Sequence, residues 1–358
     1  MQKHFTIIIV TLLVVIAACK KTTTNNGNNS GGGGTTPPTL VIAPPPAFGY
    51  YVVGYMPYYR DPIAIPDAKY RMCNVINYAF ATVNTSGLAI LQTPANLTST
   101  VTKAKANGAK VFISLNGSTT DWKAMAGIST GITNYIKSVM TMVRQYNLDG
   151  VDVDWEFPTT SDGSDVLFAN LIKQLSDSCH LDKKYYLTMA VTAGKYAGGI
   201  RDAIKPELFA YVDFVNIMAY DDFNTTVPYK QHSDMALATT CLNFWRNTKG
   251  LPMDKAVLGT PAYGRPSGIT QTGTILTYNS IITTYGGLPN SDSAVVTVSG
   301  VNGNNPYTVY YAGMATTKAK AILARNMGNG IMFWEHGQDA INTNSLMKAA
   351  CDTLGRPY

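Results

Sequence analysis

The stretch Leu148-Asp149-Gly150-Val151-Asp152-Val153-Asp154-Trp155-Glu156 decides how the rest of the chain is read. Asp152, Asp154 and Glu156 are spaced by two. A strand sends alternate side chains to one face, so the three carboxyls share a face and Val151, Val153 and Trp155 take the other. A calcium loop would show Gly-rich spacing of oxygen donors instead of β-branched and aromatic alternation. Three carboxyls set side by side in a protein interior repel one another and lose solvation. At least one then keeps its proton near neutral pH, which is what a general acid requires. A strand is predicted over Gly150 to Trp155, with Asp149, out of phase with the other three, as a brace at its entrance.

Seven further β-rich runs flank this one: Val52 to Tyr55, Val75 to Ala81, Lys110 to Leu115, Tyr186 to Thr192, Phe214 to Ala219, Ala256 to Gly259 and Gly330 to Phe333. Helical patterns separate them. Ile132, Ile136, Val139, Met140 and Val143 fall on one helix face, and Leu167, Leu171, Ile172 and Leu175 repeat the spacing after the acidic strand. Thr317 is the expected cap of a helix through Ala319, Ile322 and Leu323 that Gly328 ends. Strands alternating with helices predict an α/β chain, a (β/α)8 TIM barrel over residues 49–358, with an insertion at 266–310 between the seventh strand and the eighth. Such barrels carry their sites at the C-terminal ends of the strands.

Composition narrows the function. The 358 residues are 46% hydrophobic and 14% charged, suited to a large core. The net charge of +6 is scattered, with no basic run to neutralise a row of phosphates, so nucleic acid is not expected as a partner. His4, His180, His232 and His336 have no partner at ligand spacing, and Cys73, Cys179, Cys241 and Cys351 form no Cys-x-x-Cys pair. No metal and no cofactor is expected; the four cysteines are buried thiols or disulfides, which the sequence leaves open. The 22 tyrosines offer apolar faces with hydroxyls, which suits stacking on sugar rings.

Lys3 and His4 precede an apolar run, Ile7 to Ile16, too short to span a bilayer, and Ile16-Ala17-Ala18-Cys19 resembles the bacterial lipoprotein cleavage box. This predicts a signal peptide over 1–18, a lipidated Cys19 as membrane anchor, and a Thr/Asn/Gly/Pro tether over 19–48. The expected location is the cell envelope, at the outer membrane or cell surface, with the protein a monomer.

Asp149-x-x-Asp152-x-Asp154-x-Glu156 matches the signature of glycoside hydrolase family 18, and Trp155-Glu156-Phe157-Pro158 resembles its chitinase branch. Gly54-Tyr55, Asn77-Tyr78-Ala79-Phe80, Asn216-Ile217-Met218-Ala219-Tyr220-Asp221, Leu258 to Arg265 and Gly330 to Glu335 resemble the family's first, second, sixth, seventh and eighth strand motifs, in order. Ser114-Leu115-Asn116-Gly117 departs from the third, where the family usually has a second glycine in place of Asn116. Ser118 also stands where many relatives carry tryptophan, and Trp122 is the nearest candidate to reach back.

The resemblance implies a retaining glycosidase in which the substrate's own 2-acetamido oxygen is the nucleophile. Glu156 is then the acid, Asp154 turns toward the acetamido N–H, Asp152 tunes Asp154, and Tyr220 bonds the acetamido carbonyl. Trp334 is the expected floor of the sugar site, and Tyr55, Phe80, Met218, Asp221, Tyr263 and Arg265 are the expected substrate contacts. The implied partner is chitin or an oligosaccharide containing N-acetylglucosamine. An endo-β-N-acetylglucosaminidase acting on the chitobiose core of N-glycans is the alternative, and a catalytically inactive sugar-binding relative stands behind it.

Overall fold

The computed structural model describes residues 41–47, 49–84, 86–224, 226–266, 275–299 and 305–358. The expected signal peptide, Cys19 and most of the tether lie outside the described residues.

Eight strands run parallel: β1 (Tyr51–Pro57), β2 (Val75–Val83), β3 (Lys110–Asn116), β4 (Gly150–Val153), β5 (Tyr186–Thr192), β6 (Phe214–Met218), β7 (Ala256–Pro261) and β8 (Gly330–Trp334). Each pairs with the next, and β8 and β2 both pair with β1, so the sheet closes into a barrel and leaves no free edge among these eight. The (β/α)8 architecture is the one the alternation of patterns predicts. Tyr51, Val53, Val75, Phe112, Tyr186, Phe214, Val257 and Met332 fill the interior, and the second core lies between the strands and the surrounding helices. Above the apolar filling sits a polar layer, with Ser114, Asp152 and Thr188 brought level by the registers Ser114 to Asp152 and Asp152 to Thr188.

The helix Gly131–Gln145 buries Ile132, Ile136, Val139, Met140 and Val143, the face its spacing predicts. In Ser164–Cys179 the buried residues include Phe168, Leu171, Ile172, Leu175 and Cys179, with Leu167 only partly covered. The last barrel helix differs from expectation. It spans Met314–Met327, so Thr317 is a buried residue of its first turns instead of its cap. The helix starts earlier, where Asp292 fixes its N-terminus by accepting from the Gly313 N–H at 2.8 Å and from the Thr316 hydroxyl at 2.6 Å, and the Met314 N–H goes to the Pro289 carbonyl. Gly328 ends the helix as predicted.

β4 is two residues shorter than expected. The Asp154 carbonyl is taken by the Asn116 side-chain amide at 2.8 Å, and regular pairing stops at Val153. After β7 the chain turns into a small antiparallel sheet of Tyr263–Pro266, Leu276–Thr277, Ser293–Val296 and Tyr307–Tyr310, with the short helix Tyr278–Thr283. It begins at Tyr263, three residues before the expected start of the insertion, because the Tyr263 and Arg265 strand joins the sheet itself. Cys73, Cys179, Cys241 and Cys351 are all buried free thiols. Among the described residues no group of three potential metal ligands occurs, and no helix is long and apolar enough to cross a membrane.

Candidate active site

Asp152 lies inside the barrel, wholly buried, with four donors on its two oxygens. Tyr55 and Ser114 donate to Oδ2 at 2.7 Å each, and Thr188 and Asn216 donate to Oδ1 at 2.6 and 3.4 Å. These donors stabilise the carboxylate form, yet burial outweighs them and holds Asp152 above the ordinary range.

Asp154 sits one layer higher, also buried. Burial first, then the charges of Glu156 and Asp152, push it well above the ordinary carboxylate range, and only a contact with Asn116 opposes them. Asp152 is engaged by four donors while Oδ1 of Asp154 has none among the described residues, so a negative charge is disfavoured more on Asp154 than on Asp152. Glu156 stands at the rim, its residue surface exposed although its carboxyl faces the cleft. Partial desolvation there and the neighbouring charge of Asp221 raise it. Trp155 points the other way and stacks on Trp122, with ring centroids 5.0 Å apart and planes 9° apart. Trp122 is thus core and does not reach back to the cleft.

A cavity of about 150 Å³ opens over these carboxyls, lined by Tyr55, Asp154, Glu156, Ala190, Met218, Tyr220, Asp221, Tyr263 and Trp334. Nearly all the residues expected to touch substrate therefore converge. Gly259 makes room for this: a Cβ there would lie 2.5 Å from the Ile217 carbonyl oxygen and 3.0 Å from the Tyr220 ring. Three expected site residues are not part of this lining. Asp152 is beneath Asp154, and Phe80 stacks on Trp334 at 5.8 Å. Arg265 donates through Nε and Nη2 to the two oxygens of Asp221, at 2.5 and 2.6 Å. Tyr263 also donates to Asp221, at 2.5 Å, and His232 Nδ1 lies 3.3 Å from the Asp221 nitrogen. These partners overcome burial and hold Asp221 well below the usual range.

Sequence reasoning missed a second cavity, about 310 Å³, that is also lined by Glu156. It shares Glu156, Met218, Tyr220 and Asp221 with the first and adds Lys195, Tyr196 and Asp222. Asp222 accepts from Lys195 at 2.6 Å and from the Tyr196 hydroxyl at 2.5 Å. The β5 pattern ends three residues before Lys195, and no local signal ties Lys195 and Tyr196 to Asp222. A larger groove, about 700 Å³, lies outside the barrel between Ala89–Leu91 and the helix Gly131–Gln145, but it holds no carboxylate or histidine and so offers no acid chemistry.

Comparison with known proteins agrees with this geometry. The chain is 30% identical over 280 residues to chitinase C of Streptomyces lividans, covering 67% of this chain and 44% of that protein. It is 26% identical to chitinase 1 of Aphanocladium album, covering 69% and 66%. The chain thus spans under half the length of the Streptomyces relative. Among solved structures, a chitinase from the chitin utilization locus of Flavobacterium johnsoniae superposes with a TM-score of 0.69 at 26% identity, covering 86% of this chain and 94% of that one. A Bacteroides thetaiotaomicron chitinase shares the fold with a TM-score of 0.73 at 21% identity, covering 87% and 99%. The profile of the glycosyl hydrolases family 18 matches residues 49–339, which takes in all eight strands and every residue of the cleft. The chain belongs to glycoside hydrolase family 18.

Proposed function

We propose that the protein hydrolyses β-1,4-N-acetylglucosaminide linkages in chitin or chito-oligosaccharides with retention, using the substrate's acetamido group as nucleophile. The observation that carries this is the stacking of Asp152, Asp154 and Glu156 from the buried floor to the rim of one cleft. A protonated Glu156 at the rim can give its proton to a glycosidic oxygen lying between the two cavities. Asp154 is placed to orient the acetamido N–H and to balance the positive charge of an oxazolinium ion. Tyr220 offers its hydroxyl to the acetamido carbonyl, while Trp334, backed by Phe80, supplies an apolar floor. With no second carboxylate needed as nucleophile, one acid and its tuned neighbours suffice. The leaving sugar then occupies the cavity of Lys195 and Tyr196. The chitinase names of the relatives support the substrate class.

Product analysis tests the proposal. Chito-oligomers and a high-mannose glycoprotein are offered side by side, and the anomer released first is read by proton NMR. Short N-acetylglucosamine oligomers in the β form are expected. Release of glycans cut within their chitobiose core would move the assignment to an endo-β-N-acetylglucosaminidase, and binding without cleavage of either would make the chain a sugar-binding relative.

The N-terminus supports a further proposal: the chain is exported as a bacterial lipoprotein, with Cys19 acylated and the enzyme tethered as a monomer to the outer membrane or cell surface. Inside the barrel domain, the Tyr186 hydroxyl donates to the Pro46 carbonyl at 2.8 Å at the start of β5, so the chain joins the barrel at the end away from the cleft. Cys19→Ala is expected to move the protein from the membrane fraction to the soluble one; unchanged fractionation would exclude the anchor.

A further inference from the structure

The third strand ends in Asn116, whose side chain is engaged on both ends. Its Oδ1 accepts from the Gly117 N–H at 2.6 Å, which fixes the amide plane. Its Nδ2 donates to the Asp154 carbonyl at 2.8 Å and turns its other hydrogen toward Asp154 Oδ2, 3.5 Å away. Among the described residues no other side chain donates to that carboxyl, and Oδ1 of Asp154 is buried without a partner. The remaining ionisable groups that face Asp154 are Asp152 and Glu156 from its own segment, Tyr55 from β1, and Tyr220 after β6, with Asp221 next to Glu156. The carboxylates among these disfavour a negative charge on Asp154. Asn116 is the one neighbour that favours it, and a glycine at 116 has nothing with which to do so.

We propose that Asn116 is a positioning residue for Asp154, holding its carboxyl at the cleft and favouring its ionised form. The contact measures 3.5 Å, a length from which catalytic hydrogen bonds often tighten once substrate is bound. Its consequence for turnover rests on the hydrolytic function proposed above; its effect on Asp154 does not. A donor lost from an ionised carboxyl raises the pH at which that carboxyl charges. Without Asn116, therefore, the acidic limb of the activity profile moves to higher pH.

Two readouts separate the two claims. The first is carbon-13 NMR of the Asp154 carboxyl through a pH titration, in the wild type, Asn116→Gly and Asn116→Asp, each checked for folding by its melting temperature. The second is kcat/KM against pH on a chito-oligomer for the same three. In Asn116→Gly both midpoints are expected to rise by about half a unit, roughly a threefold change in the ratio of ionised to protonated Asp154 at a given pH. Asn116→Asp keeps the shape and the acceptor for Gly117 but replaces the donor with a like charge, and it should move both further in the same direction. If the Asp154 titration is unmoved in the folded variants, or if only the melting temperature changes, the proposal is wrong. A shifted titration in a protein that hydrolyses nothing would uphold Asn116 and overturn the function.

Discussion

The Tyr55 hydroxyl donates to Oδ2 of Asp152 at 2.7 Å across 97 residues of sequence, tying β1 to the innermost carboxylate of β4 inside the barrel. The same ring lines the cleft against Trp334, with centroids 5.4 Å apart. Tyr55→Phe keeps the ring and removes one of four donors. A hydrogen bond to a charged group is worth about 1.5–3 kcal/mol. If that is felt at the transition state, kcat falls roughly tenfold or more, while KM changes little because the ring remains. Steady-state kinetics on a chito-oligomer check it, and an unaltered kcat would mean that Asp152 does not act through Asp154.

Glu156→Gln retains the shape of the rim without a transferable proton. Hydrolysis is expected to drop by about 10²–10⁴-fold, the usual contribution of a positioned acid. Binding of a chito-oligomer, read by calorimetry, should persist. A variant with near-wild-type turnover would require another residue as the acid.

Asp154→Asn has opposite effects on activity and stability. Its carboxyl is raised well above the ordinary range by burial and by the charges of Glu156 and Asp152. A raised folded-state value means that the stability the group contributes is complete below its unfolded value and is lost as pH climbs through the folded one. The neutral amide escapes that loss. The variant should hydrolyse substrate far more slowly yet melt higher than the wild type at neutral and alkaline pH, with the difference vanishing near pH 3. Scanning calorimetry over that range decides it; a lower melting point at pH 8 would contradict the sign.

Asp221→Asn tests the charge that acts on Glu156. Asp221 is kept ionised by Arg265, His232 and Tyr263, and its negative charge helps raise Glu156. Removing it lets Glu156 lose its proton at lower pH, so the alkaline limb of kcat/KM should move toward acid. The acidic limb should shift less, since Asp154 feels Glu156 and Asp152 more strongly. An alkaline limb that stays in place would show that the charge of Asp221 does not reach the acid.

The resemblance to the family's strand motifs implied the contacts Tyr55, Met218, Tyr220, Tyr263 and Trp334, and the sequence by itself determined the strand and helix pattern and the alternation that turns Asp152 and Asp154 inward and Trp155 outward. These are legible because the period of side chains along a strand or helix is a local property that burial imposes directly. Only the tertiary structure decided that β4 stops at Val153, that Trp122 is core under Trp155, that Asp292 fixes the start of the helix Met314–Met327, and that Arg265 holds Asp221. It alone placed the Asn116 amide on Asp154 and the pair Lys195 and Tyr196 beside Asp222. Each of these contacts joins residues from different βα units or from distant loops. Which atoms meet depends on the register between strands and on how loops pack over the barrel mouth, and no window of neighbouring residues contains that information.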